Sequence, residues 1–114
     1  MLSLSDIEAA RDRVEDVALE TTLKPQRTFS RMSGADVRLK FENTQRTGSF
    51  KIRGATNRIR KLSDAEREGG VITASAGNHA QGVALAAQHS DVDALIVMPE
   101  FAPISKVNAT RSYG

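Results

Sequence analysis

Two short segments of this 114-residue chain carry residue types that could do chemistry. The first is Thr47-Gly48-Ser49-Phe50-Lys51, a polar loop running into an amphipathic stretch. Gly48 permits close backbone approach, Ser49 is placed to cap the following helix, and Lys51 falls in its first turn. An amine there faces the positive end of the helix dipole, with Arg46 and Arg53 near it in sequence, so its ammonium form is disfavoured. Phe50 would add desolvation. A neutral lysine amine is the nucleophile that condenses with a carbonyl to give a Schiff base. On residue type alone Lys51 also fits a solvated lysine on a basic helix, the commoner use of that residue.

The second segment is Ser75-Ala76-Gly77-Asn78-His79 at the entry to another helix. Free amides at a helix N-terminus, with a Gly for access, suit a carboxylate or a phosphate. Asn78 equally fits a plain N-cap, and His79 either a general base or a solvated first-turn histidine. His89, near the end of the same helix, complements the dipole. Neither His has a second His, Cys or carboxylate at ligand spacing, so no metal site is expected. Gly-x-Gly-x-x-Gly, Walker and Gly-x-Ser-x-Gly patterns are all absent.

The elements that must position these residues follow from capping and periodicity. Ser5-Asp6-Ile7-Glu8 reads as a capping box for a helix reaching about Leu19, with Ile7, Ala10, Val14 and Val17 on its apolar face. Residues 21–26, with Pro25, break the pattern, and a short helix around Phe29 and Met32 stops at Gly34. Val37, Leu39 and Phe41 alternate with Arg38, Lys40 and Glu42 as in a half-buried strand. Residues 43–49 form a loop, and 50–62 a helix with Ile52, Ala55, Ile59 and Leu62 on one face. Ser63-Asp64-Ala65-Glu66 is a second capping box, for a brief helix ended by Gly69-Gly70. Residues 71–74 form a buried strand, and the helix after the Ser75 turn shows a small-residue face of Ala80, Val83, Ala84 and Ala87. Residues 94–98 are an all-apolar strand, as when both faces are covered. Pro99 and Pro103 bracket a turn, and a last helix runs from Ile104 to Tyr113-Gly114. This order predicts an α/β fold with a largely parallel sheet of about three strands, too lean to be an independent core.

Composition narrows the class. Hydrophobic residues at 39% and charged residues at 26% fit an ordinary globular chain. The absence of Cys excludes disulfides and a thiolate nucleophile. The longest apolar run is far below the roughly 20 residues of a membrane span, and the N-terminus has no signal-peptide pattern, so a cytoplasmic protein with no membrane partner is expected. The net charge of +2 hides an uneven spread: two basic and six acidic groups in 1–23 (−4), eleven and two in 24–61 (+9), three and six in 62–114 (−3). The +9 block could track a phosphate backbone, but it offers only Phe29, Phe41 and Phe50 for stacking and matches no nucleic-acid-binding signature. Nucleic acid is therefore not an expected partner.

The two loops together resemble something specific. Lys40-Phe41-Glu42-Asn43-Thr44-Gln45-Arg46-Thr47-Gly48-Ser49-Phe50-Lys51-Ile52-Arg53-Gly54-Ala55 resembles the cofactor-lysine segment of threonine dehydratases, in the tryptophan-synthase-β-like (fold type II) class of pyridoxal-phosphate enzymes. Ser75-Ala76-Gly77-Asn78-His79-Ala80-Gln81-Gly82-Val83-Ala84 resembles the same family's asparagine loop. Ile96-Val97-Met98-Pro99, Ala102-Pro103, Lys106-Val107 and Ala109-Thr110 follow in the family's order, so the resemblance covers nearly the whole chain.

The resemblance implies pyridoxal 5'-phosphate as cofactor, bound as a Schiff base by Lys51, which then shuttles the Cα proton. It places Phe50 beside the cofactor ring and Asn78 on the cofactor's 3′ oxygen. Ser75, Ala76, Gly77, Asn78 and His79 form the substrate loop, with Ser75, Gly77 and His79 holding the carboxylate. The implied reaction is β-elimination of water from L-threonine, and from L-serine, to a 2-oxo acid and ammonia. Serine racemases usually carry a Ser at the position of Ala76 as their second acid/base, so Ala76 favours dehydration. Asp91 stands where relatives commonly have Gly at a helix-to-strand turn, which predicts a strained left-handed residue. The family's glycine-rich phosphate loop and its group facing the pyridine nitrogen lie downstream of these motifs. Residues 1–114 are thus expected to be the N-terminal part of the catalytic domain, truncated and inactive alone, and a homo-oligomer at full length. The alternatives are serine racemase, a β-replacement synthase of the same class, or a non-catalytic binding fragment.

Overall fold

The structure, a computed structural model, describes residues 1 to 114. Helix α1 (Leu4–Val14) is capped by Ser3, whose Oγ accepts from the Asp6 amide at 3.2 Å while its own amide donates to Asp6 Oδ2 at 2.8 Å. The box thus starts before the expected Ser5–Glu8 pair, because Asp6 itself closes the reciprocal bond. The helix also stops short of Leu19. The Val14 carbonyl takes the amides of both Val17 and Ala18, turning the chain so that these two side chains enter the core. Ile7, expected on the apolar face, stays exposed.

The Pro25 segment is a strand, not merely a break. β1 (Leu23–Pro25) pairs antiparallel with β2 (Arg38–Lys40), Lys24 opposite Leu39. Pro25 is tolerated because it ends a strand in a two-stranded ribbon, where no inner ladder needs its missing donor. Between them α2 (Arg27–Ser33) ends as expected at Gly34, left-handed at φ 71°. Leu39 is half-buried between exposed Arg38 and Lys40, as the alternation predicted.

Helix α3 (Lys51–Ile59) buries Ile52, Ala55 and Ile59 of the predicted face, with Thr56 added, and ends short of the expected Leu62, which is half-buried. Helix α4 (Asp64–Glu68) carries the predicted box, Ser63 Oγ accepting from the Glu66 amide and Glu66 Oε2 from the Ser63 amide. At its end Gly70 has φ 71°, and a Cβ there would lie 2.9 Å from the Asp93 carbonyl oxygen. β3 (Val71–Ala74) pairs in parallel with β4 (Ala94–Val97), joined by α5 (Asn78–His89). Asp91, in the turn after α5, has φ 52°, the left-handed conformation foreseen for it.

The sheet therefore departs from the single parallel one expected: two separate two-stranded sheets form, one antiparallel and one parallel. β4 departs too. Ile72, Leu95 and Val97 are 70%, 61% and 49% exposed, because α5 covers only the opposite face of β3–β4. The core lies between α3 and α5, where Ile52, Ala55 and Ile59 meet Val83, Ala86 and Ala87, with Val14, Val17 and Ala18 closing one end. Helix α6 (Ile104–Arg111) packs on α5 and buries Thr110. No helix is long and apolar enough to cross a membrane.

Candidate active site

The loop leading to Lys51 is built on a half-buried ion pair. Arg53 donates from Nε to Glu42 Oε2 and from a terminal nitrogen to Glu42 Oε1, both at 2.9 Å. Thr21 Oγ1 donates to the same Oε1 at 2.5 Å, and a terminal nitrogen of Arg53 also donates to the Leu19 carbonyl at 3.0 Å. The Arg53 hydrogen bonds hold the Glu42 carboxyl below its usual range, against the opposing effect of burial. Buried Gln45 then pairs with the Leu19 backbone on both sides: its Nε2 donates to the carbonyl at 2.7 Å and its Oε1 accepts from the amide at 3.0 Å. Arg46 Nε donates to the Val17 carbonyl at 2.9 Å, and the Tyr113 hydroxyl donates to the Arg46 carbonyl at 3.3 Å.

From this frame Gly48 turns left-handed at φ 66°, and Ser49 Oγ accepts from the Lys51 amide at 3.4 Å. The expected cap is thus Ser49, although Phe50 occupies the N-cap position. The Lys51 ammonium group lies 5.2 Å from the centroid of the Phe50 ring, and it has no hydrogen bond or ion pair within the chain. Phe50 is 60% exposed, so it flanks the amine without excluding water from it. The two neighbouring cations are engaged elsewhere, Arg53 by Glu42 and Arg46 by the Val17 carbonyl.

The second loop is anchored to the sheet by the Ser75 amide, which donates to the Val97 carbonyl at 3.0 Å. Ser75, not Asn78, is the capping side chain: its Oγ accepts from the Gly77 amide at 3.2 Å and the Ala80 amide at 3.3 Å. Of the four amides a helix start leaves without helical partners, those of Asn78 and His79 remain open. Asn78 is exposed and its side-chain amide has no partner in the chain, while the space beside the Gly77 Cα is open within 4 Å. His79 lines a cavity of about 520 Å³ with Arg58, Ile59, Leu62, Val71 and Val83, which neither Lys51 nor Asn78 borders.

Helices α3 and α5 cross at a residue to which the sequence reading gave no role. A Cβ on Gly82 would lie 3.1 Å from the Lys51 carbonyl carbon, 3.2 Å from the Ile52 amide nitrogen and 3.2 Å from Lys51 Cβ. The close crossing sets the first turn of α3 against α5 one helical turn beyond its open N-terminus. A Gly inside a helix rich in small buried Ala was the available signal. For Glu42 the signal was a carboxylate inside the +9 block.

The chain thus presents an unpaired primary amine with a flanking ring, a free carboxamide, and two open helix-start amides of the kind that suit an anion. Residues 14–114 match the family described as pyridoxal-phosphate dependent enzyme, and the chain belongs to that family. It is 52% identical over 114 residues to the L-threonine ammonia-lyase of Thermotoga maritima, covering 100% of this chain and 28% of that protein. It is 51% identical over 115 residues to a catabolic L-threonine dehydratase of Staphylococcus aureus, covering 100% of this chain and 33% of that protein. Its fold matches the serine racemase of Dictyostelium discoideum with a TM-score of 0.88 and 40% identity, over 99% of this chain and 37% of that one. The chain thus spans about a third of the length of the curated relatives it matches. The expected α/β fold of the tryptophan-synthase-β-like class is borne out, apart from the pairing of its strands.

Proposed function

We propose that the protein containing this chain dehydrates and deaminates L-threonine, and also L-serine, to a 2-oxo acid and ammonia. Residues 1–114 are proposed as the N-terminal part of its catalytic domain. The observation that carries the reading is the unpaired Lys51 amine, on a helix packed at Gly82 against α5, whose N-terminus is open, in a chain 52% identical to an L-threonine ammonia-lyase. Pyridoxal phosphate, when bound, supplies the electron sink that makes the substrate's Cα proton acidic.

The chain's own residues do the rest. Lys51 would hold the cofactor covalently through its amine; once free, Nζ would take the Cα proton, and the β-hydroxyl would leave with a proton as water. Phe50 would flank the cofactor ring, and the Asn78 carboxamide would hydrogen-bond the cofactor's 3′ oxygen. The open amides of Asn78 and His79 orient the substrate carboxylate. Ser75 Oγ accepts two amides already, so its O–H is left to donate to the same carboxylate. Gly77 keeps the approach clear, and the Ala76 methyl offers no proton to the opposite face of the substrate.

In the full-length protein, Lys51→Ala should abolish both 2-oxo acid formation from threonine and the cofactor fixed by borohydride. A borohydride-fixed cofactor that persists in this variant removes Lys51 from the role. The likeness to a serine racemase motivates a second measurement. If D-serine forms from L-serine faster than 2-oxo acid does, the reading passes to racemisation; product from O-acetylserine plus a nucleophile would pass it to β-replacement. Residues 1–114 alone should not turn over threonine, since only 22 of 114 residues are buried and one face of β3–β4 is uncovered. Turnover by that purified segment with added cofactor would refute this. A cytoplasmic location and a homo-oligomeric assembly belong to the same proposal, and fractionation and sedimentation measure them.

A further inference from the structure

We infer that Gly82 is a positioning residue for Lys51: its missing side chain sets how closely the lysine-bearing end of α3 stands against α5. Three contacts carry this. The Cβ that any other residue would bring meets two backbone atoms, the Lys51 carbonyl carbon at 3.1 Å and the Ile52 nitrogen at 3.2 Å, and the root of the Lys51 side chain at 3.2 Å. None of these is the far end of a flexible side chain, so relief requires α3 and α5 to part by a few tenths of an ångström.

The surroundings oppose that movement. Ile52, the next residue on α3, is fully buried, and Ala80, Ala84, Ala86 and Ala87 of α5 are buried around Gly82. Each of these alanines already accommodates its Cβ; the position opposite Lys51 alone has none. A glycine in a helix interior costs stability relative to alanine, so a packing reason is needed for this one. Gly54 supplies the contrast. It sits on α3, exposed, with nothing within 4 Å of its virtual Cβ. Helix propensity therefore favours alanine at both glycines, and only at Gly82 does close contact oppose it.

The inference rests on the reading of Lys51 as the cofactor-bearing residue, and its test separates the two. Gly82→Ala and Gly54→Ala are compared in the full-length protein, loaded with pyridoxal phosphate and free of substrate. Gly82→Ala should shift the absorption band of the bound cofactor and lower the melting temperature, while Gly54→Ala leaves the band in place and raises the melting temperature. With threonine, Gly82→Ala should lower kcat on the order of tenfold with KM held within about twofold, since small misplacements of a reacting group are costly. If Gly82→Ala folds poorly, the same readings are made in an Asp91→Gly background, where a left-handed non-glycine residue is relieved. An unmoved band with wild-type kcat overturns the inference, as does an equal loss in Gly54→Ala. Retention of borohydride-fixed cofactor by Lys51→Ala would instead overturn the proposed function.

Discussion

The Glu42 carboxylate and the Arg53 guanidinium meet through two hydrogen bonds of 2.9 Å, and this pair closes the loop that leads to Lys51. Their side chains are 16% and 33% exposed, between a solvated surface pair and a desolvated one. Glu42→Gln keeps the shape but leaves Arg53 half-buried without a counter-charge, a cost of about 2 kcal/mol. Urea denaturation of the two proteins measures it, and equal midpoints would show that the pair is only a surface contact.

Asp16 makes the pH dependence specific. Hydrogen bonds of 2.5 and 2.7 Å from Arg60 hold its carboxyl down from 3.8 to about 2. The unfolded chain then takes up the proton first, so the contribution is complete above about pH 4 and is lost as pH falls through about 2. The Asp16 side chain is 60% exposed, so screening limits the effect to below about 1 kcal/mol. Stability curves of wild type and Asp16→Asn should be offset near neutrality and converge in acid; an offset constant with pH would refute the linkage.

Asp91 holds a backbone conformation that glycine adopts freely, with φ at 52°. Aspartate tolerates this region better than most residues, so Asp91→Gly should stabilise by only about 0.5–1 kcal/mol, net of the added freedom of the unfolded chain. Thermal melts decide the sign, and a lowered melting temperature would mean that the Asp91 side chain stabilises the turn.

Ser75 serves two amides with one oxygen. Ser75→Ala should cost about 1–2 kcal/mol in stability through the lost cap. In the full-length protein it should also raise KM for threonine, yet leave borohydride fixation at Lys51 intact. An unchanged KM would confine Ser75 to capping.

What could be read in advance was local. The Ser63–Glu66 box, the Gly34 stop and the left-handed Asp91 each depend on a few neighbouring residues, and the structure contains all three. The motif loops were legible for the same reason, as contiguous runs. The Ser5–Glu8 box failed because Ser3 and Asp6 compete for the same helix start. The β1–β2 pairing was hidden because Pro25 argues against a strand unless its place at the end of a two-stranded ribbon is known. The apolar run of β4 signalled two covered faces, whereas the helices of this chain cover one. The Gly82–Lys51 crossing joins residues on separate helices, and no local pattern carries such a distance.

The Gln45 clamp on Leu19 has a consequence for which side chains can stand there. A carboxamide presents one donor and one acceptor side by side, as a peptide group does, so Gln45 completes the Leu19 backbone as a neighbouring strand would. Glutamate at this position would set an oxygen against the Leu19 carbonyl oxygen, and methionine would match the length while satisfying neither group. Asparagine has the right pair of atoms on a stem one carbon shorter. Substitution at Gln45 is therefore restricted by the backbone of a distant residue, Leu19, as tightly as by its own neighbours in the loop.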